Sequence, residues 1–281
     1  MPVNLNNPPH VLVVHGARRG SASKVRHDRA VTRLISNALA TSNISEDFTV
    51  RQYVYEQKKD RHPTVRLGKL LGAALIRGRP LVGLALATTV DLVGDVVLNV
   101  VDGSTAARVR AGLKAAILES HEAGHRVLVV AHSLGSVYAL QAINELMHED
   151  PARFAGHDRR LWAAQGLVTL GSPLGLDFRL LGLRVFPKIP LVKIPSRCER
   201  FPWHNLYSRH DPFVTGRVFG KRMKCDECDG PVERRYRADT DAAGWLLQGH
   251  HVRTRVKWLA AHSAYWTEPA VGERLVGMLW G

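Results

Sequence analysis

The chain is short of cysteine, with three among 281 residues. So few thiols do not suggest a disulfide framework. Acidic side chains are also scarce: 25 Asp and Glu stand against 39 Lys and Arg, a formal net charge of +14. That balance favours contact with anionic surfaces such as lipid headgroups, nucleic acid or acidic substrates. The basic residues are scattered, however, from Arg18 and Arg19 through Lys58, Lys59 and Arg61 to Arg253 and Arg255. No zinc-finger, homeodomain or RNA-recognition signature accompanies them, so no nucleic-acid partner is expected. A long uninterrupted apolar run is missing too. The longest apolar stretch, Pro80 to Val101, is broken by Asp91, Asp95 and Asn99, which argues against a membrane-spanning helix. The opening MPVNLNNPP is polar and does not read as a signal peptide, so a cytoplasmic location is expected. There are no internal repeats and no low-complexity tract.

Apolar residues make up 45% of the chain, enough for a sizeable core. HVLVVHG (10–16) reads as a buried strand running into a loop, and residues 28–40 place Val31, Leu34, Ile35 and Leu39 at helical spacing. FTVRQYVYE (48–56) alternates and reads as a second strand. Residues 105–122 form an amphipathic helix with Val109, Leu113, Ala116 and Ile117 on one face. RVLVVAHS (126–133), AQGLVTLGSP (164–173) and the region His204–Ser208 are further strands. VERRYRAD (232–239) reads as the last strand, and Pro269–Leu279 as the C-terminal helix, starting at its proline. Strands alternating with helices predict an α/β fold: a mostly parallel sheet covered by helices on both faces, with reactive groups at the carboxyl ends of the strands. No linker divides the chain, so residues 1–281 read as one domain. Two insertions interrupt it: an apolar, Arg-bearing segment at 61–101, and a surface stretch at 216–240 containing Cys225 and Cys228.

The chemistry gathers around Ala131-His132-Ser133-Leu134-Gly135. This is the nucleophile-elbow pattern G-x-S-x-G with Ala in the first position. Small residues two before and two after the serine let it occupy a strained strand-to-helix turn with its hydroxyl clear of both elements. The rival reading, an ordinary helix-capping serine, leaves Gly135 unexplained. A serine alcohol needs a base. His132 should point away from Ser133 and pack; His262, in AHSAYW (261–266) on a loop before the last helix, is the better candidate. His250 and His251 lack that context, and His15 reads as structural. Asp211, in SRHDPF (208–213) just past a strand end, can orient the base, with Asp177 and Asp239 as spare acids. Trp203, Tyr265 and Trp266 read as packing beside the site. The Cys225–Cys228 pair is half of a zinc site, with Cys198, His204, His210, His250 and His251 as the available completing ligands, but there is no second Cys-x-x-Cys. An unliganded surface loop is the simpler reading.

With VLVVHG, AHSLGS, TLGSPL, WHNLYSRHDPF and AHSAYW in this order, the chain resembles the α/β-hydrolase superfamily in its lipase- and esterase-like branch. The chain order Ser133, Asp211, His262 is the one that fold requires. The resemblance implies an acyl-serine mechanism with Ser133 as nucleophile, His262 as base and Asp211 as its orienting acid, with no cofactor. It also implies an oxyanion hole made by the backbone amides of Leu134 and Ala17. Hydrolysis of lipid or other acyl esters is then the expected activity, with segment 61–101 as a helical lid lining an acyl pocket and, through its cationic edge, touching an anionic membrane surface. Permanently packed helices are the alternative for that segment. Thioester or amide hydrolysis, acyl transfer, or a non-catalytic membrane-associated binding protein are the alternatives for the whole chain.

Overall fold

The structure, a computed structural model, describes residues 3–15, 26–54, 103–176, 179–180, 183–184, 188–196, 198–215, 230–256 and 259–281. Segment 61–101, Ala17, Asp177, Cys225 and Cys228 lie outside the described residues.

Among the described residues six strands make the central sheet: β1 (His10–His15), β2 (Thr49–Tyr53), β3 (Val127–His132), β4 (Gly166–Leu170), β7 (Phe201–Tyr207) and β8 (Trp245–His251). Between β4 and β7 a two-residue ladder joins β5 (Arg179–Leu180) to β6 (Leu183–Arg184) outside that sheet. The six run parallel in the order β2-β1-β3-β4-β7-β8. Parallel strands buried on both faces need continuous apolar runs. Val11–Val14 and Val127–Ala131 supply them, and all nine of these residues are buried.

Successive side chains point to opposite faces, so each strand feeds two cores. Val11, Val13, Leu128 and Val130 face one side, where they meet α1 (His27–Thr41) and α7 (Pro269–Trp280). Leu12, Val14, Val127, Val129 and Ala131 face the other. There they meet α2 (Gly103–Glu122), α3 (Gly135–Glu149) and α5 (Pro231–Ala243). The short helices α4 (Pro212–Thr215) and α6 (Leu259–Ala264) stand at the end of the sheet where the site lies. Arg126 and Gln165, each just before a central strand, donate to the carbonyls of Leu279 and Met278. They thereby satisfy orphan acceptors at the end of α7.

One element differs from the sequence reading. Residues 232–239 are helix, not strand: they lie within α5, and the last strand is Trp245–His251. Val232, Tyr236, Thr240 and Ala243 recur at helical spacing and are buried. Pro231 supplies the first helical position, and Gly244, left-handed at φ 77°, ends the helix. A short window of VERRYRAD hides this period of four.

Across the sheet runs a buried polar chain. The Trp203 indole donates to Thr169 Oγ1 (3.0 Å), Thr169 donates to Asn205 Oδ1 (2.8 Å), and Asn205 donates to Glu233 Oε1 (2.9 Å). Trp203 thus belongs to the core, with Tyr236 and Trp245 as ring neighbours, rather than beside the site.

On the α7 side, His204 and His250 bring ring nitrogens within 3.2 Å of each other. Burial lowers both to about 4, helped at His204 by His250, Arg274 and Arg159 and at His250 by Arg274. In the unfolded chain a histidine takes up its proton near pH 6.5. Below that pH the unfolded state therefore binds more protons, and stability falls as pH drops from about 6.5 toward 4. The urea midpoint should decrease between pH 7.5 and pH 5, and His250→Gln should flatten that decrease.

Candidate active site

The chain leaves β1 outward to β2, then returns past β1 to form β3 on its other side. Connections diverge at the carboxyl ends of β1 and β3, and in an open parallel sheet that divergence makes a crevice. Ser133 stands there, directly after β3.

Its backbone has φ 56°, in the left-handed region. For a residue with a side chain this costs about 1–3 kcal/mol and persists only where the surroundings impose it. Here they do. The Ser133 N–H donates to Leu170 O (3.0 Å) of the neighbouring strand, and its carbonyl accepts from Ser136 N–H (3.0 Å) in the first turn of α3. Gly135 completes the turn: a Cβ on it would come 2.6 Å from the Val14 carbonyl oxygen. Ala131, the departure from the usual glycine, sits in the strand with no exposure, paired with Val14 and Thr169. A methyl group is accommodated there because it points into the core.

His262 Nε2 lies 2.8 Å from Ser133 Oγ, and its Nδ1 lies 2.8 Å from Asp211 Oδ2. A carboxylate only accepts, so Nδ1 carries the proton. Nε2 then presents a lone pair to the serine hydroxyl. Asp211 is wholly buried. Its Oδ1 accepts from Phe213 N–H (2.9 Å), and its Oδ2 also accepts from the Tyr265 hydroxyl (2.9 Å). Among the described residues, Phe213 N–H, His262 Nδ1–H and the Tyr265 hydroxyl hold the carboxylate. A strained serine between strand and helix on this parallel sheet, followed in chain order by a carboxylate and an imidazole that reach it through hydrogen bonds, decides the architecture. This is an α/β-hydrolase fold.

Within that fold the remaining predicted positions can be placed. Leu134 begins the run into α3 in helical conformation (φ −57°, ψ −28°), so its amide belongs to the helix start, where N–H groups lack intrahelical partners. Ala17, the other predicted donor, lies outside the described residues. His262 is on the short helix α6 rather than on a loop. His132 is buried and turned from the serine: its Nε2–H donates to the His262 carbonyl oxygen at 2.7 Å. Burial, then the nearby His262 and His15, holds His132 well below the ordinary histidine value, so it stays neutral. His15 ends β1 and stacks on His27 with centroids 3.9 Å apart, while Trp266 packs against His132 and His27. His250 and His251 are on β8, and Asp239 pairs with Lys188 at 2.8 Å. Among the described residues no group of three or more His, Cys, Asp or Glu side chains could hold a metal ion.

Two contacts were not legible as more than packing or turn chemistry. The Phe213 ring lies 4.4 Å from the His262 ring, covering it. Tyr265 is bonded to Asp211. The available signals were short: Phe213 is two residues past Asp211, where an Asx turn places its amide, and Tyr265 is three past His262, on the same helical face.

No protein-family profile matches the chain, and no curated protein matches its sequence. Among solved structures, the chain is similar to a Bacillus cereus carboxylesterase, with 11% identity and TM-score 0.42 over 96% of this chain and 87% of that one. It is similar to a thermostable esterase from Pseudomonas putida, with 11% identity and TM-score 0.44 over 98% and 75%. A cutinase-like protein from Cryptococcus sp. gives 13% identity and TM-score 0.40 over 97% and 96%.

Proposed function

We propose that the protein is a serine hydrolase that cleaves carboxylic esters of apolar acyl groups through an acyl-serine intermediate. The observation that carries this reading is the continuous hydrogen-bonded path Ser133 Oγ, His262, Asp211, closed at 2.8 Å on both sides of the imidazole. In this reading His262 removes the Ser133 proton as Oγ attacks the acyl carbon. It then returns that proton to the leaving alcohol, and activates water for deacylation. Asp211 holds the tautomer and balances the imidazolium charge. The Leu134 amide, at a helix start whose dipole favours negative charge, faces the developing oxyanion, with Ala17 as the second donor.

The acyl preference is argued from the 61–101 sequence. Six of its leucines, Leu70, Leu71, Leu75, Leu81, Leu84 and Leu86, precede the elbow in sequence, and its cationic residues suit an anionic lipid surface. No described helix is long and apolar enough to cross a membrane. A fluorophosphonate probe should give a single adduct, located by mass spectrometry on Ser133. Against ester, thioester and anilide substrates of one acyl group, kcat/KM should be highest for the ester. An adduct on another serine, or none, overturns the mechanism; a thioester or anilide preference overturns the substrate class.

A further inference from the structure

Tyr265 meets the relay at its far end. Its hydroxyl donates to Asp211 Oδ2 at 2.9 Å, the same oxygen that takes the His262 Nδ1–H at 2.8 Å. The phenol oxygen in turn accepts the Ser208 N–H at 2.9 Å, and the Ser208 carbonyl accepts the Asp211 N–H at 3.1 Å. One ring therefore fastens the segment after β7 and the carboxylate that this segment carries. Tyr265 is wholly buried. Burial first, and then the Asp211 charge, keep its hydroxyl well above the ordinary tyrosine value, so it remains a donor wherever the protein is folded near neutral pH.

A second observation shows how closely the ring, the carboxylate and the imidazole pack against one backbone position. Gly171, left-handed at φ 55°, lies against the relay. A Cβ there would come within 2.8 Å of Tyr265, 3.0 Å of Asp211 Oδ2 and 3.2 Å of His262 Nδ1. Backbone without a side chain is what lets ring, carboxylate and imidazole close on one another.

We infer that Tyr265 is a positioning residue for the relay, which holds the Asp211 carboxylate in line and moderates its pull on the His262 imidazole. The catalytic consequence rests on the reading of Ser133, His262 and Asp211 given above; the physical coupling does not. Two donors on one oxygen share its electron density. When the phenol is removed, the carboxylate draws more strongly on the His262 Nδ1 proton but loses one of the donors that fix it. Among the described residues, the groups facing the imidazole are Ser133, Asp211, His132 and Phe213, with Tyr265 reaching it through Asp211.

The test compares Tyr265→Phe with Tyr265→3,5-difluorotyrosine, which keeps the ring and sharpens the donor. The readout is the downfield proton NMR resonance of His262 Nδ1–H, measured with kcat, KM and fluorophosphonate labelling on the same proteins. Tyr265→Phe should move the resonance downfield and lower kcat by about tenfold while KM changes less than about twofold. The difluorotyrosine variant should move it upfield. If Tyr265→Phe does not fold, having lost the acceptor for Ser208 N–H, the difluorotyrosine variant decides alone. An unmoved resonance in a folded variant overturns the role of Tyr265 even where Ser133 is labelled. A moved resonance without labelling upholds the coupling and refutes the catalytic reading instead.

Discussion

Ser133→Ala should lower kcat on an activated ester by about 10⁴–10⁶-fold and abolish fluorophosphonate labelling, while the protein stays folded. The size of the loss follows from what Oγ does in the proposed cycle. It is the only protein atom that bonds to the acyl carbon in that cycle, so no neighbouring side chain replaces it. Stability should change little, within about 1 kcal/mol, because among the described residues the hydroxyl is bonded to His262 alone and the strained turn is imposed by backbone contacts that alanine retains. Thermal unfolding of the purified variant gives the second number. Activity within tenfold of the parent would mean that another group attacks the substrate.

Asp211→Asn is the second large effect, about 10⁴-fold in kcat. The carboxylate has donors on both oxygens: Phe213 N–H at Oδ1, and His262 Nδ1–H with the Tyr265 hydroxyl at Oδ2. An amide has a single accepting oxygen. With that oxygen toward His262, its NH₂ confronts the Phe213 N–H, and no charge remains to balance the imidazolium. With the amide turned over, two donors confront NH₂ and the imidazole takes the wrong tautomer. Either arrangement also leaves a buried donor unmet, at about 1–3 kcal/mol of stability. A kcat loss of less than tenfold in a folded variant would remove Asp211 from the mechanism.

What the sequence made legible divides along a physical line. β1 and β3 could be read because a strand buried on both faces must be apolar throughout, and few other elements look like VLVV. Pro269 and the run after it announced α7 through a helix-start signal. The elbow could be read because a left-handed serine restricts its neighbours, which writes Gly135 into the sequence. Asp211 stood out by the strand before it, His262 by its place before the C-terminal helix, and both by their order after the serine. Helix α5 was misread because its buried stripe has one apolar or aromatic residue per turn, diluted by arginines that look equally at home on a strand. Tyr265 was legible only as an aromatic. Its partner Asp211 is 54 residues away, and no local rule connects a tyrosine after one helix to a carboxylate before another. Cooperation between distant loops is a property of the folded sheet, not of any window of sequence.

The bond between His262 and Ser133 spans 129 residues of chain. Closing it requires β3, β4 and β7 to be zipped together and α6 to be seated at their ends. Such long-range contacts form late, since the entropy of the enclosed chain must be offset before they hold. In the proposed mechanism, a nascent chain that has emerged only through the elbow therefore carries Ser133 without its base, and the reactive state is withheld until folding is almost finished.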